Sequence, residues 1–242
     1  MKLGIMQPYF MPYIGYWQLM NAVDKYVVYD DVNFIKGGWI NRNRILLDGK
    51  PQYFNIQMAG ASSFKHINEI GVSDNLSVIN KNIRILEAAY KKAPYYNQVM
   101  PIIEEILRCQ AENLAFFIRN SFEVINNYLG IGTQLIMSSD LKKNNELHGQ
   151  DKVIAICRLL KADEYYNAIG GQELYSFQEF RKNGLELKFL KTNEIAYQQF
   201  DNEFIPNLSM IDILMFNSAD TIQGFLSEYS LIDEGGEKNA YN

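Results

Sequence analysis

Cysteine is nearly missing from this chain: Cys109 and Cys157 are the only two among 242 residues. Neither stands in a CxxC or other metal-ligand spacing, so a disulfide framework and a structural zinc module are both excluded as the basis of the fold. Both fall in segments of helical pattern and read as small core residues. Histidine is equally scarce, with only His66 and His148, far apart and without metal-ligand spacing. No uninterrupted apolar run approaches the ~20 residues that span a bilayer, so membrane insertion is not expected. The N-terminal stretch MKLGIMQPYFMPYIGYW is broken by Pro8 and Pro12, and no small-residue cleavage site follows it. It reads as folded chain rather than a signal peptide, in a cytoplasmic protein. A basic excess is missing too. The 23 Lys and Arg face 28 Asp and Glu, for a net charge of −5, which argues against a DNA binder. There is no GxSxG elbow, Walker loop, dinucleotide fingerprint or Cys–His nucleophile pattern.

Aromatic residues are abundant. Sixteen Tyr and 14 Phe, in a chain that is 48% hydrophobic, exclude disorder and favour concave sites that stack or hydrogen-bond polar rings. Lys2–Met6 is a short apolar run stopped by Gln7-Pro8 and reads as a buried strand. Tyr16–Val23 has helical spacing, and Lys25–Tyr29 is a second β-rich run. Strand, helix and strand in so short a span predict a parallel βαβ unit. Asp48-Gly49 predicts a hairpin joining Arg44–Leu47 to Gln52–Met58. From Asn75 to Leu129 apolar stripes of helical period take over. Thr133–Ser138, Glu164–Ile169 and Leu185–Leu190 then read as strands, and Asp151–Lys161 and Tyr175–Lys182 as helices. Glu234–Asn242 reads as a frayed polar tail. The expected architecture is α/β: a parallel-type sheet with flanking helices, its halves at 1–74 and 133–242 separated by a helical insertion at 75–132.

Three constellations carry candidate chemistry. The loop after the first strand, QPYFMPYIGY, sits where open parallel sheets bind ligands, outside the strand carboxyl ends. There Gly15 would permit close backbone approach, with Gln7, Tyr9, Tyr13 and Tyr16 as polar and stacking contacts. The second constellation is YDDVNFIKGGWINRNRI. Asp30 and Asp31 end the second strand on the same rim. They are candidates for binding ribose hydroxyls, an ammonium or Mg²⁺, or for general-base work. Lys36, Arg42 and Arg44 give a local +3 between Val32 and Leu47. Arg42 and Arg44, two apart, share a face of an extended segment and suit a diphosphate or carboxylate. Trp39, Asn41 and Asn43 would complete a ligand wall; the competing reading is a solvated basic edge strand. The third constellation is Gly170-Gly171, a loop between a strand and the helix that holds Tyr175. His148, opening HGQDKVIAIC, is a candidate base.

QPYFMPYIGYWQL followed by VVYDDVNFIKGGWINRNRI resembles the WbqC family of bacterial polysaccharide-cluster proteins. KADEYYNAIGGQELY, FQEFRKNGLELKF and FIPNLSMIDIL are similar to that family's second half, and YKKAPYY to its centre. One departure is Asn167-Ala168, where the family reads Ser-Gly. The resemblance implies a role in lipopolysaccharide (O-antigen) biosynthesis. The implied reaction is transfer of glycine or another acyl group to an amino sugar, nucleotide-linked, by a transferase or amide-forming ligase. The strand, PYIGY loop and helix are also similar to the HIGH-type loop of nucleotide-binding α/β enzymes (HUP or nucleotidyltransferase type), with Tyr13 and Tyr16 in place of histidines. On this reading Lys36, Arg42 and Arg44 hold a diphosphate or an activated acyl carrier. Asp30 or Asp31 holds the amine or acts as base, and the tyrosines flank the sugar. The donor is an acyl-adenylate made from ATP with Mg²⁺, a charged tRNA, or acyl-CoA; no protein-bound metal site is expected. Two other readings stand beside it: a non-catalytic nucleotide-sugar-binding protein of a polysaccharide assembly system, and a nucleotidyltransferase.

Overall fold

A computed structural model describes residues 1–201 and 203–239. The chain begins β1 (Lys2–Met6), α1 (Ile14–Asn21) and β2 (Lys25–Val28), then forms the hairpin β3 (Arg42–Leu47) and β4 (Lys50–Asn55). The two-residue strands β5 (Met58–Ala59) and β6 (Gly71–Val72) lead into three helices, α2 (Leu76–Tyr90), α3 (Tyr96–Arg108) and α4 (Leu114–Leu129). Next come β7 (Gln134–Met137), α5 (Gly149–Leu159), β8 (Glu164–Ala168), α6 (Phe177–Lys182) and β9 (Glu186–Thr192). The described chain ends with α7 (Met210–Phe216), α8 (Ala219–Phe225), β10 (Tyr229–Asp233) and β11 (Gly236–Asn239).

The main sheet runs β11-β10-β9-β8-β1-β2-β7. β7, β2, β1, β8 and β9 are mutually parallel, and β10 and β11 add an antiparallel edge. The fold is therefore mixed α/β with a mostly parallel central sheet flanked by helices. Taken in chain order, the five parallel strands lie 3-2-1-4-5 across the sheet, a doubly wound order that reverses between β1 and β8. Sheets of this kind open a ligand crevice at that reversal, outside the strand carboxyl ends.

Both faces of the sheet are covered, and strand alternation divides the core accordingly. Leu3, Ile5, Val27, Tyr165, Leu187 and Phe189 pack with α5 and α6 residues such as Ile156 and Phe180. Tyr26, Val28, Tyr166 and Leu190 face the larger cluster, which gathers α1, the three consecutive helices and the hairpin. α1 lies almost wholly inside, so its one buried polar side chain needs partners. Gln18 donates through Nε2 to the Phe225 and Glu228 carbonyls, both at 2.8 Å.

Some local expectations change. α1 starts at Ile14, two residues before the apolar spacing suggests, because Ile14 and Gly15 are buried with it. The expected polar tail instead contributes β11, whose Gly236–Asn239 pairs antiparallel with β10; Ala240, Tyr241 and Asn242 lie outside the described residues. Gly170 and Gly171 belong to a 3₁₀ segment, Ile169–Leu174, and Tyr175 precedes α6 rather than lying in it. No helix among the described residues is long and apolar enough to cross a membrane.

Candidate functional site

At the reversal point lies a cleft of about 1050 Å³, floored by Ile5, Met6 and Gln7 at the end of β1 and by Asn167 and Ala168 at the end of β8. Its walls carry five aromatic rings (Tyr9, Tyr13, Tyr29, Trp39 and Tyr175) and the amides of Asn33, Asn68, Asn145 and Gln150. His66 and His148, the chain's only histidines, both line it. Burial pushes the Tyr9, Tyr13, Tyr29 and Tyr175 phenols up, so they stay protonated at neutral pH. Each then offers both a donor and an acceptor to a ligand.

The motif loop between β1 and α1 is held by side chains from outside it. Met11 takes a left-handed conformation at φ 42°, which a non-glycine residue adopts only when its surroundings impose it. Here Asn43 Nδ2 donates to the carbonyls of Phe10 (3.3 Å) and Met11 (2.9 Å). Ser209 Oγ also donates to the Met11 carbonyl at 2.7 Å, and Trp17 Nε1 to that of Pro12 at 3.1 Å. The buried Tyr16 hydroxyl donates to the Gln7 carbonyl at 2.7 Å. These bonds fix the loop so that Gln7, Tyr9 and Tyr13 face the cleft.

Among the residues expected at a site, Gln7, Tyr9, Tyr13, Asp31, Trp39, His148, Gly170, Gly171 and Tyr175 meet at this cleft. Others do not line it, and each departure has a physical reason. Tyr16 and Asn43 support the loop from behind. Gly15 is glycine because a Cβ there would lie 2.4 Å from Thr192 Oγ1 and 2.6 Å from the Tyr13 ring; it lets α1 abut its neighbours and touches no ligand space. Asn41 donates to the Ile56 carbonyl at 3.2 Å, tying the hairpin together. Arg42 donates to the Gly37 and Gly38 carbonyls and lies over the Tyr53 ring, while Arg44 reaches the Asn207 carbonyl at 3.4 Å. Lys36 is exposed on the loop outside. The paired guanidinium site is thus replaced by a rim whose arginines are engaged with the protein.

The two aspartates part company as well. Asp30, expected as a base or amine ligand, is fully buried. Its carboxylate accepts from the Ser139 amide (2.9 Å), the Ser139 hydroxyl (2.6 Å) and Asn68 Nδ2 (3.1 Å). It is a positioning residue that brings Ser139 and Asn68, two lining residues, together. Asp31 faces two nearly buried ammonium groups, Lys143 at 2.7 Å and Lys152 at 3.3 Å. Burial works against its charge, but the Lys143 contact, the adjacent Ser138 and the Lys152 charge outweigh that and hold the carboxyl below its usual range. Both oxygens of Asp30 are taken by protein donors, whereas in Asp31 only Oδ2 meets the lysines and Oδ1 has no hydrogen-bond partner. Among the described residues no group of three or more His, Cys, Asp or Glu could hold a metal ion.

Lys152 is the residue that sequence pattern came nearest to revealing. It lies one turn before Ile156 on the inward stripe of α5, so a buried lysine, and therefore a partner, was implied by spacing. Lys143 sits in an irregular segment where no periodicity applies. His66 starts a 3₁₀ turn, its backbone N–H held by Glu69 Oε2 at 2.6 Å. Only the tertiary fold brings it to the same cleft as His148.

Comparison with known proteins agrees with the motif reading. The model of the WbqC-like protein family matches residues 7–224. The chain is also similar to a Mycobacterium tuberculosis protein, named as uncharacterized protein Rv1507c. The two are 26% identical over 222 residues, covering 90% of this chain and 95% of the relative. No solved structure matches. A match spanning both the β1–α1 motif loop and the β8 end, which together floor the cleft, leaves one conclusion: the chain belongs to the WbqC-like protein family.

Proposed function

We propose that this protein is an acyltransferase or amide-forming ligase that attaches a glycine-type acyl group to the amine of a nucleotide-linked amino sugar, in bacterial surface-polysaccharide synthesis in the cytoplasm. The observation that carries this reading is the convergence of the chain's only two histidines on a cleft walled by tyrosines and amides. Aromatic faces and amides suit a sugar, whose rings present C–H faces and hydroxyl edges. The strand reversal beneath the cleft supports a nucleotide-binding α/β fold of the HUP type; that support is fold-level analogy.

In the reaction, the amine nitrogen attacks the acyl carbonyl carbon. A C–N bond forms, the bond from that carbon to the donor's leaving group breaks, and the leaving group departs with the electron pair. The nitrogen must shed a proton, and His148 at the start of α5 is the acceptor we assign to it, with His66, which lines the same cleft, as the second candidate. Lys152, anchored by Asp31, stands at the floor as a fixed positive charge for the carbonyl oxygen or for a phosphate. Gln7, Tyr13 and Tyr175 orient the sugar.

The test is incubation with ATP, glycine and a panel of nucleotide-linked amino sugars, read by mass spectrometry and pyrophosphate release. Acylated sugar is expected, with turnover falling at least ~100-fold in His148→Ala while sugar-nucleotide binding persists. Binding without turnover under every donor, charged tRNA and acyl-CoA included, would leave a nucleotide-sugar-binding protein. Nucleotidyl transfer without acylation would favour the third reading.

A further inference from the structure

The segment between Val32 and Asn68 lends the cleft some of its wall, but its lysine and arginine side chains and the Tyr53 and Phe64 rings lie outside that lining. It holds Lys36, Arg42, Arg44, Lys50 and Lys65 against one acid, Asp48, in a chain of net charge −5. It also exposes large apolar side chains: Phe64 is 93% exposed, Tyr53 54%, Ile35 52% and Trp39 39%. These four lie on adjoining pieces of backbone. The Phe34 amide donates to the Lys65 carbonyl at 2.9 Å and Asn33 Nδ2 to the Ser63 carbonyl at 3.2 Å, which sets the Ile35 loop beside the Phe64 loop. Trp39 packs near Tyr53, ring centroids 6.1 Å apart, and Arg42 lies over Tyr53 at 4.3 Å. Ile35 and Trp39 also line the cleft, so the patch adjoins its mouth.

From this juxtaposition we propose that the hairpin β3–β4 and the loops around Ile35 and Phe64 form a peripheral docking surface for an anionic lipid membrane, which brings the mouth of the cleft to the headgroups. Aromatic and aliphatic side chains interleaved with lysines suit the bilayer interface, where apolar parts sink among the acyl chains and ammonium groups meet anionic headgroups. Scattered apolar residues need no explanation, but a contiguous exposed patch of this kind marks a partner. Charge chooses the partner: a basic patch on an acidic protein selects a negatively charged surface. Nucleic acid fits less well, because Ile35 offers no stacking face and the Arg42 guanidinium is already engaged by the Gly37 and Gly38 carbonyls. The inference stands without the acyl-transfer reading.

The experiment is co-sedimentation of the full chain with vesicles of phosphatidylcholine alone and of roughly seven parts phosphatidylcholine to three of phosphatidylglycerol, at low salt and at about 0.5 M salt. Binding is expected to the anionic vesicles only and to fall in high salt. Phe64→Asp, at a site exposed enough to leave the melting temperature unchanged, should weaken partitioning at least ~10-fold. Lys36→Glu with Lys65→Glu provides a second variant, expected to weaken it at least ~10-fold, since each lysine contributes about fivefold. Parent protein that stays in the supernatant overturns the proposal, as does unchanged binding in both variants. So does a homodimer that Phe64→Asp dissociates in the absence of vesicle binding, or transfer RNA bound through these residues in place of vesicles.

Discussion

Asp31 and Asp212 are both carboxylates taken largely out of water, and the protein treats them in opposite ways. Asp31, at the cleft, is met by two ammonium groups, Lys143 at 2.7 Å and Lys152 at 3.3 Å. Asp212, at the start of α7, is met by neutral donors: the Tyr90 hydroxyl at 2.8 Å, the Tyr197 hydroxyl at 2.7 Å and Gln199 Nε2 at 2.8 Å. Burial opposes the charge in both, and the outcome differs with the donors. Ammonium groups hold Asp31 below the usual carboxylate range, whereas three hydrogen bonds fail to offset burial at Asp212 and its carboxyl is pushed up. The first arrangement keeps a charged group, and the lysine beside it, fixed at a ligand-facing surface. The second ties structure together. Tyr90 also accepts the Leu46 amide at 2.9 Å, and Gln199 Oε1 accepts that of Ile205 at 2.8 Å, so one carboxylate joins α2, β3, α7 and the segment before it. Charge is kept where chemistry is proposed, and neutral donors are used where only cohesion is needed.

The sharpest way to break this contrast is Asp212→Ala. It leaves the Tyr90 and Tyr197 hydroxyls without their carboxylate acceptor inside the core, while Gln199 Nε2 keeps the Ile205 carbonyl at 3.1 Å. The expected loss is about 3–4 kcal/mol, because each stranded buried donor costs ~1–3 kcal/mol and some relaxation follows. For a chain of this size that lowers the melting temperature by roughly 10 °C. Urea denaturation giving a loss under ~1 kcal/mol would mean that the network is not a structural tie.

Asp31→Asn comes next, at about 2 kcal/mol near neutral pH, less than a fully buried broken pair because the cleft is open to water. Its pH dependence separates the two sites. Asp31 has a folded-state value below its usual 3.8, so its stabilising contribution is fully present above that value and is lost as pH falls through the folded one. The difference between parent and Asp31→Asn should therefore be constant above about pH 5 and shrink below pH 4. Asp212, raised above 3.8, runs the other way: the favourable neutral form is complete at low pH and is lost as pH rises through its folded value. Stability curves of the two variants that bend in the same direction would remove the distinction.

This contrast also explains what could be read from the chain alone. The βαβ start was legible because Lys2–Met6 and Lys25–Val28 are nearly continuous apolar runs bounded by Gln7-Pro8 and the paired acids. β10 was not legible: Tyr229–Asp233 joins the sheet through antiparallel pairing with β9, and its mixed composition gives no period. At the site, residues adjacent to a strand end could be found, since topology alone puts Gln7 and Asp31 on one rim. His66, Asn68, Ser139 and Lys143 could not, because their proximity depends on how a loop after the hairpin and a segment after β7 fold back over the sheet. Asp30 and Asp31 illustrate the limit. They are identical neighbours in sequence, and successive side chains of an extended segment point to opposite sides, so one is enclosed by Ser139 and Asn68 and the other faces lysines.

A thiol comparison sets a buried group against a more open one with no ion pair at either. Burial pushes the Cys157 thiol up to about 12, and the less enclosed Cys109 is raised by burial and by Glu105. A maleimide should label Cys109 in the native protein and reach Cys157 only on unfolding, followed by mass spectrometry over time. Native-state labelling of Cys157 ahead of Cys109 would show that the α5 face of the core opens more readily than its packing implies.

The smallest expected effect concerns the rim arginines, and it tests whether charge in the floor really differs from charge at the edge. Arg42 donates to the Gly38 carbonyl at 3.0 Å and lies over Tyr53; Arg44 contacts the Asn207 carbonyl at 3.4 Å, with the Trp39 ring 5.9 Å away. Neither lines the cleft. Replacing either by alanine removes a partly exposed charge and one or two hydrogen bonds to backbone, worth ~1 kcal/mol or less. The affinity for a nucleotide-linked amino sugar should stay within about twofold, a difference of ~0.4 kcal/mol. Lys152→Ala should behave differently, because it deletes a nearly buried ammonium group that faces the ligand space and leaves Asp31 with Lys143 alone. A loss of tenfold or more in affinity is expected there, since hydrogen bonds to charged groups are worth ~1.5–3 kcal/mol. Calorimetry on the three variants decides it. A tenfold loss in either arginine variant, with Lys152→Ala unchanged, would move the anion-binding charge from the floor of the cleft to its rim.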